Sequence, residues 1–246
     1  MKEKKSIIKK ILNAAFESGE GHIPSSLSIL ELLYVIYDSF ILKDENNKFV
    51  LSKGHASLGL YAIMDHFGIL EDDINNFCKF NSKLGGHPSS ILRGVECSTG
   101  SLGHGMPFAL GMAFGKKIKC EPGKVFVIIG DGEANEGTIW ETALLASHHK
   151  MSNFCCILDH NHSTDRALDI GDMVGKFKSF GWACSSVDGH DIKRIKTVIN
   201  KQYDNKPHFV LAHTIKGNGI DCMVSNPAWH HKTPTEENLK TIFESL

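Results

Sequence analysis

Apolar positions along this chain follow two rhythms. Short unbroken runs, strongest at Val125-Phe126-Val127-Ile128-Ile129 and Phe154-Cys155-Cys156-Ile157-Leu158, end abruptly in polar residues. That is how a strand buried on both faces of a parallel sheet reads. Shorter strand segments are expected at residues 49–51, 182–187 and 208–212. Between the runs, apolar residues recur at helical spacing. Ile7, Ile8, Ile11, Leu12, Ala15 and Phe16 predict an amphipathic helix that stops near Gly19. Residues 27–40 predict a second helix, apolar on most sides and therefore packed on both. Further helices are expected at 56–67, around 109–114, and at 138–149, 172–180 and 191–201. Strands alternating with helices predict an α/β fold, a doubly wound and mostly parallel sheet with helices on both faces. No repeat or linker interrupts the pattern, so residues 1–246 read as one domain. Residues 71–100 form the longest irregular stretch, and such loops are commonly functional.

The polar ends of the two strongest runs carry the first chemical signal. Gly130-Asp131-Gly132 follows one and Asp159-His160-Asn161 the other. Open α/β sheets bind ligands beyond the carboxyl ends of their strands, so Asp131 and Asn161 are expected to converge across about one βαβ unit. A carboxylate and an amide oxygen make a hard pair suited to Mg²⁺ or Ca²⁺. The flanking glycines allow a diphosphate to approach the backbone. Taken alone, the same residues read equally well as a strand–turn–helix corner with an Asp cap.

The chain has 14 histidines. His22, His55, His87 and His230 fall at junctions between loops and regular elements, where an imidazole is easily poised as donor or acceptor. His66, His148, His149, His190 and His208 have no such context and read as structural.

Composition narrows the classes. With 41% hydrophobic and 22% charged residues, the chain has enough apolar material for one large α/β domain. A net charge of -1 and an isoelectric point near 6.9 argue against a general nucleic-acid or membrane surface. The seven cysteines are odd in number and contain no C-x-x-C pair, which reads as reduced core thiols in a cytoplasmic protein. The N-terminal charges are followed by no signal-peptide apolar region, and no stretch is long enough to span a bilayer.

Gly130-Asp131-Gly132 with Asn161 resembles the thiamine-diphosphate (ThDP) motif, and Glu133-Ala134-Asn135-Glu136-Gly137 with Trp140-Glu141 resembles its transketolase form. Five further segments are similar, in order, to transketolase active-site segments: SGEGHIPSSLS (18–28), LSKGHA (51–56), GGHP (85–88), TGSLGHG (99–105) and AWHHK (228–232). The resemblance implies that Asp131, the Asn161 amide and the Ser163 carbonyl bind Mg²⁺ or Ca²⁺. It implies that the Gly132 N–H, at the start of a helix, meets the diphosphate, that His55 and His230 bind its oxygens, and that Gly100 and Leu102 line the cofactor's rings. His22, His87 and His230 would surround the reacting carbons of the substrate, while the cofactor carries the carbanion chemistry. Glu136 resembles the family's interface glutamate, with a dipole-favoured helix-start Glu the equal alternative. Lys216-Gly217-Asn218-Gly219 would cover the cofactor.

The resemblance covers the family's diphosphate-binding domain and includes no pyrimidine-binding half with its activating glutamate. The expectation is therefore the N-terminal subunit of a split transketolase, active with a separate C-terminal subunit in an α2β2 assembly. Its reaction would be transfer of a two-carbon ketol unit from a ketose or ketose phosphate to an aldose. The competing readings are a deoxyxylulose-phosphate-synthase-like half, a plain nucleotide-binding protein and a non-catalytic stabilising subunit. Ser25-Ser26, His104 and His231 depart from the family pattern and leave the donor and acceptor sugars open.

Overall fold

The computed structural model describes residues 3–165 and 167–246. Its strands, β1 (Lys48–Leu51), β2 (Val125–Gly130), β3 (Phe154–His160), β4 (Ala183–Asp188) and β5 (His208–His213), form one sheet in the order β1-β2-β3-β5-β4. All neighbours pair in parallel, so the doubly wound α/β sheet expected from the pattern is the one observed.

The apolar runs serve both faces at once, because side chains alternate along a strand. Phe126 and Ile128 of β2 join a core formed with α1 (Lys4–Ser18), α2 (Ile23–Ser28), α3 (Leu30–Ile36), α4 (Ser57–His66), α8 (Ile192–Ile199) and α9 (Glu236–Ser245). Val125, Val127 and Ile129 face the opposite core, under α5 (Gly105–Ile118), α6 (Gly137–His148) and α7 (Met173–Ser179). On that side the Phe177 ring stacks on Phe209 with centroids 3.8 Å apart, fixing α7 over β5. The edge strand β4 carries the half-buried Ser185 and the exposed Ser186, polar residues suited to the edge of a sheet.

Helix ends follow local chemistry. Gly19 closes α1 in the left-handed conformation (φ 69°), while Asp172 and Asp191 cap α7 and α8 by accepting the Gly175 and Arg194 N–H groups. One expectation fails. Residues 27–40 are not a single helix: α2 ends at Ser28, α3 restarts at Leu30, and a π-helical turn spans Tyr37–Ile41. No Gly or Pro marks the break at Ile29. It coincides with Ser28 donating to Asp159 Oδ1 at 2.8 Å, a contact across 131 positions that helix periodicity does not encode.

The irregular stretch after α4 contains one 3-10 turn, Ile74–Asn76, yet it is packed rather than loose. Phe77, Leu84 and Leu92 are fully buried. Tyr61 donates to the His87 carbonyl at 3.2 Å, Ser57 to the Gly86 carbonyl at 2.8 Å, and Thr99 to the Leu51 carbonyl at 2.7 Å. These bonds seat residues 85–100 on α4 and on the carboxyl end of β1.

Candidate active site

Parallel register explains how two distant corners meet. Gly130 of β2 pairs with Asp159 of β3, so the residues just beyond each strand emerge side by side. There they bound a cavity of about 150 Å³ lined by Lys53, His55, Asp131, Asn161, Lys216 and His230 among others. Asp131 is buried. Its Oδ1 accepts the Gly132 N–H (2.8 Å) and the Ser163 hydroxyl (3.2 Å), and its Oδ2 accepts the Ser163 N–H (2.9 Å). The Asn161 amide is oriented by its own nitrogen, which donates to Asp159 Oδ2 (2.9 Å) and Ser28 Oγ (3.0 Å). Its oxygen is thereby turned toward Ser163, whose N–H it accepts at 3.1 Å. Asp131 and Asn161 thus present a carboxylate and an amide oxygen side by side around Ser163, hard donors that fit a divalent cation such as Mg²⁺.

Beneath this corner lies a buried polar base that motif reading did not single out. Asp159, 0% exposed, pairs with the Lys53 ammonium and accepts from Thr214, Ser28 and Asn161. A fully bonded buried ion pair of this kind holds geometry, and losing one partner leaves a charge in low dielectric. Glu133 is bonded in the same way. Its carboxylate accepts the Ser52 hydroxyl, the Gly103 N–H at 2.9 Å and the Gly130 N–H at 3.2 Å. Burial pushes the Glu133 carboxyl up, opposed by those three donors and Lys53. Glu133 ties the 99–105 loop to the Asp131 corner. Gly103 is obligatory there: at φ 83°, an added Cβ would lie 2.4 Å from Thr138 Oγ1 and 2.7 Å from Glu136 Cβ. Both acids stand inside recognised motifs, but nothing local announced their burial.

Four histidines from four segments close over the corner. The His22 ring lies 4.8 Å from His55, 6.4 Å from His87 and 5.4 Å from His230, and His55 lies 5.2 Å from His87. Gly54 permits this crowding, since a Cβ there would sit 2.9 Å from His87 Cδ2 and 3.0 Å from the Gly100 nitrogen. Desolvation, reinforced by the neighbouring imidazoles, holds His22 down at about 3. Desolvation, His87 and Lys53 hold His55 down at about 4. His230 is lowered by desolvation and Lys216. These three rings are neutral at pH 7. Lys216 Nζ lies 3.1 Å from His230 Nδ1. An ammonium only donates, so Nδ1 accepts and the ring proton sits on Nε2. His231 joins the wall, 4.6 Å from His22 and paired with Glu20 at 3.2 Å.

The remaining expected site residues are placed as follows. Leu102 lines the cavity, and Gly100 packs against the His87 ring. Gly132 departs from expectation. Its N–H is turned onto Asp131, it precedes only a 3-10 turn (Glu133–Asn135), and α6 begins at Gly137, so no α-helix starts at its N–H. Lys216 reaches the cavity while the Gly217 N–H bonds the Pro24 carbonyl, laying that loop against the site. His190, read as structural, pairs with buried Glu31 at 3.0 Å and accepts the Ile215 N–H at 2.9 Å, anchoring the same loop. Glu136 is exposed and caps α6 without a side-chain bond.

Residues 7–244 match the family described as "Transketolase, thiamine diphosphate binding domain". The chain is 35% identical over 262 residues to a subunit of apulose-4-phosphate transketolase from Actinobacillus succinogenes, covering 100% of this chain and 95% of that protein. It is 32% identical over 244 residues to the protein of the same name from Phocaeicola vulgatus, covering 93% of this chain and 87% of that one. Its structure superposes on the crystal structure of transketolase from Campylobacter jejuni with a TM-score of 0.88 at 26% identity, over 99% of this chain but 42% of the other.

Proposed function

This chain belongs to the transketolase family through its thiamine-diphosphate-binding domain, and from that premise we propose that it is the diphosphate-binding subunit of a two-chain transketolase. The observation that carries the reading is the meeting of Asp131, Asn161 and Ser163 at the carboxyl ends of β2 and β3, beneath a wall of histidines. The reaction is transfer of a two-carbon ketol unit from a ketose or ketose phosphate to an aldose. Two relatives matched over 87% and 95% of their length are themselves named as single subunits of a transketolase, which supports a separate partner that supplies the pyrimidine-binding half.

Asp131 and the oxygen-inward Asn161 amide, with the Ser163 carbonyl, hold Mg²⁺, whose charge offsets that of the cofactor's diphosphate. His55, His230 and Lys216 face the same cavity and donate to diphosphate oxygens, and the Gly132 N–H joins them once its bond to Asp131 is exchanged. Gly100 and Leu102 border the space for the rings. When bound, thiamine diphosphate supplies the electron sink that lets the carbon–carbon bond of an α-hydroxyketone break. His22, His87 and His230 donate to the carbonyl oxygen and take up hydroxyl protons of the sugar. The neutral rings of His22 and His230 can do both, whereas imidazolium could only donate. The exposed Glu136 at the start of α6 serves as an interface acid in an α2β2 assembly. No described helix is long and apolar enough to cross a membrane, and the seven free cysteines suit a reducing cytoplasm.

Calorimetric titration of thiamine diphosphate with Mg²⁺ into the full chain, alone and with the pyrimidine-binding partner, tests the proposal. Saturable, Mg²⁺-dependent binding and two-carbon transfer in the mixture are expected. Absence of cofactor binding in both samples overturns it.

A further inference from the structure

The turn that leaves β3 carries a second group of ligating side chains, which the reaction above does not use. His160 is the last residue of β3, and His162 and Asp165 lie in the exposed turn beyond it. One ligand atom from each of the three lies within 4.8 Å of the other two. The two imidazole rings are 4.1 Å apart between centroids, and His162 Nδ1 is 2.7 Å from Asp165 Oδ2. His160 Nδ1 is buried without a hydrogen-bond partner, and an orphaned nitrogen of this kind calls for an ion or a water to satisfy it.

We propose that His160, His162 and Asp165 form a site for a divalent transition-metal ion of the zinc type, with a coordination position left open. Two imidazole nitrogens and one carboxylate oxygen are the donor chemistry that Zn²⁺ accepts, and they leave the site unattractive to Mg²⁺, which requires oxygen throughout. Bonds of about 2.0–2.2 Å in tetrahedral array set ligand atoms roughly 3.3–3.5 Å apart, and the present spacing, within 4.8 Å, is at most a little more than that. The ligands span six consecutive positions, 160–165, so little chain entropy is lost in assembling them. His213 is near, with its ring 5.9 Å from His160, but it is committed to Ser186 Oγ at 2.9 Å and is not counted as a ligand. The assignment does not depend on what binds at Asp131.

Co²⁺ is the spectroscopic probe. The full chain, stripped of metal with a chelator and held in excess Mg²⁺, is expected to bind one Co²⁺, with the visible absorption of a low-coordinate imidazole complex that Zn²⁺ abolishes. His162→Ala and Asp165→Asn alter exposed side chains, so the fold is not at risk, and each is expected to weaken Co²⁺ binding by at least about tenfold. His148→Ala, at an exposed histidine of α6 away from this turn, is expected to leave it unchanged. Failure to bind Co²⁺, weakening of less than about threefold in both turn variants, or loss of binding in His148→Ala would each overturn the site.

Discussion

The oxygen-lined corner at Asp131 and the histidine wall facing it border one cavity, yet they are held in place by different means. The corner grows out of β2 and β3, whose pairing sets Gly130 against Asp159. It rests on Lys53 and Asp159, 6% and 0% exposed, with both carboxylate oxygens of Asp159 in use. The wall is assembled from four separate segments: His22 before α2, His55 in a 3-10 turn, His87 in the long loop and His230 after another 3-10 turn. Among these rings the structure records close approach rather than mutual hydrogen bonds, and backbone hooks such as Tyr61 to His87 position them. The floor is therefore part of the folded core, whereas the wall is furniture added by loops. Changes in the floor should register first as stability and changes in the wall as function.

The sharpest way to break that distinction is Asp159→Ala. It strands the Lys53 ammonium and three further donors in a buried place, with an expected loss of about 3–5 kcal/mol in urea denaturation. His87→Ala, at an exposed ring, should cost less than about 1 kcal/mol by the same measurement. Equal losses would mean the wall is as much a part of the core as the floor.

Asp131→Ala probes the function of the floor instead. Without its carboxylate the metal and diphosphate lose their charge partner, and Mg²⁺-dependent affinity for thiamine diphosphate should fall about a hundredfold, or roughly 2.7 kcal/mol, in calorimetric titration. Unchanged affinity would remove the corner from the cofactor site.

The smallest effect is a pH dependence that belongs to the wall. His22 and His55 have folded values of about 3 and 4, below the ordinary 6.5 of an unfolded chain, so on acidification the unfolded state takes up protons that the folded state refuses. Their stabilisation is complete above about pH 6.5 and declines as the pH falls toward 4. Both rings are only about half buried, so solvent screening keeps the change modest. Urea midpoints at pH 7.5 and pH 5 should differ less in His22→Gln than in the parent chain, and an undiminished difference would assign the acid sensitivity elsewhere.

Much of this molecule is written locally. The runs at 125–129 and 154–158 specify buried strands because each residue's burial follows from its immediate neighbours and the two-residue alternation. The polar clusters at their ends mark the ligand side of the sheet for the same reason. The histidines are legible through their short motifs. Sequence alone thus determined the fold class, the end of the sheet that matters and the residue types gathered there. What it did not carry was the buried support. Lys53 reaches Asp159 across 106 positions and Ser52 reaches Glu133 across 81, and each side chain reads in isolation as an ordinary surface charge or hydroxyl. The interruption at Ile29 belongs to the same category, since it coincides with a distant carboxylate drawing Ser28 toward it. Only tertiary structure decided these, because parallel strand order, not nearness along the chain, brings β1, β2 and β3 together and removes water from between them.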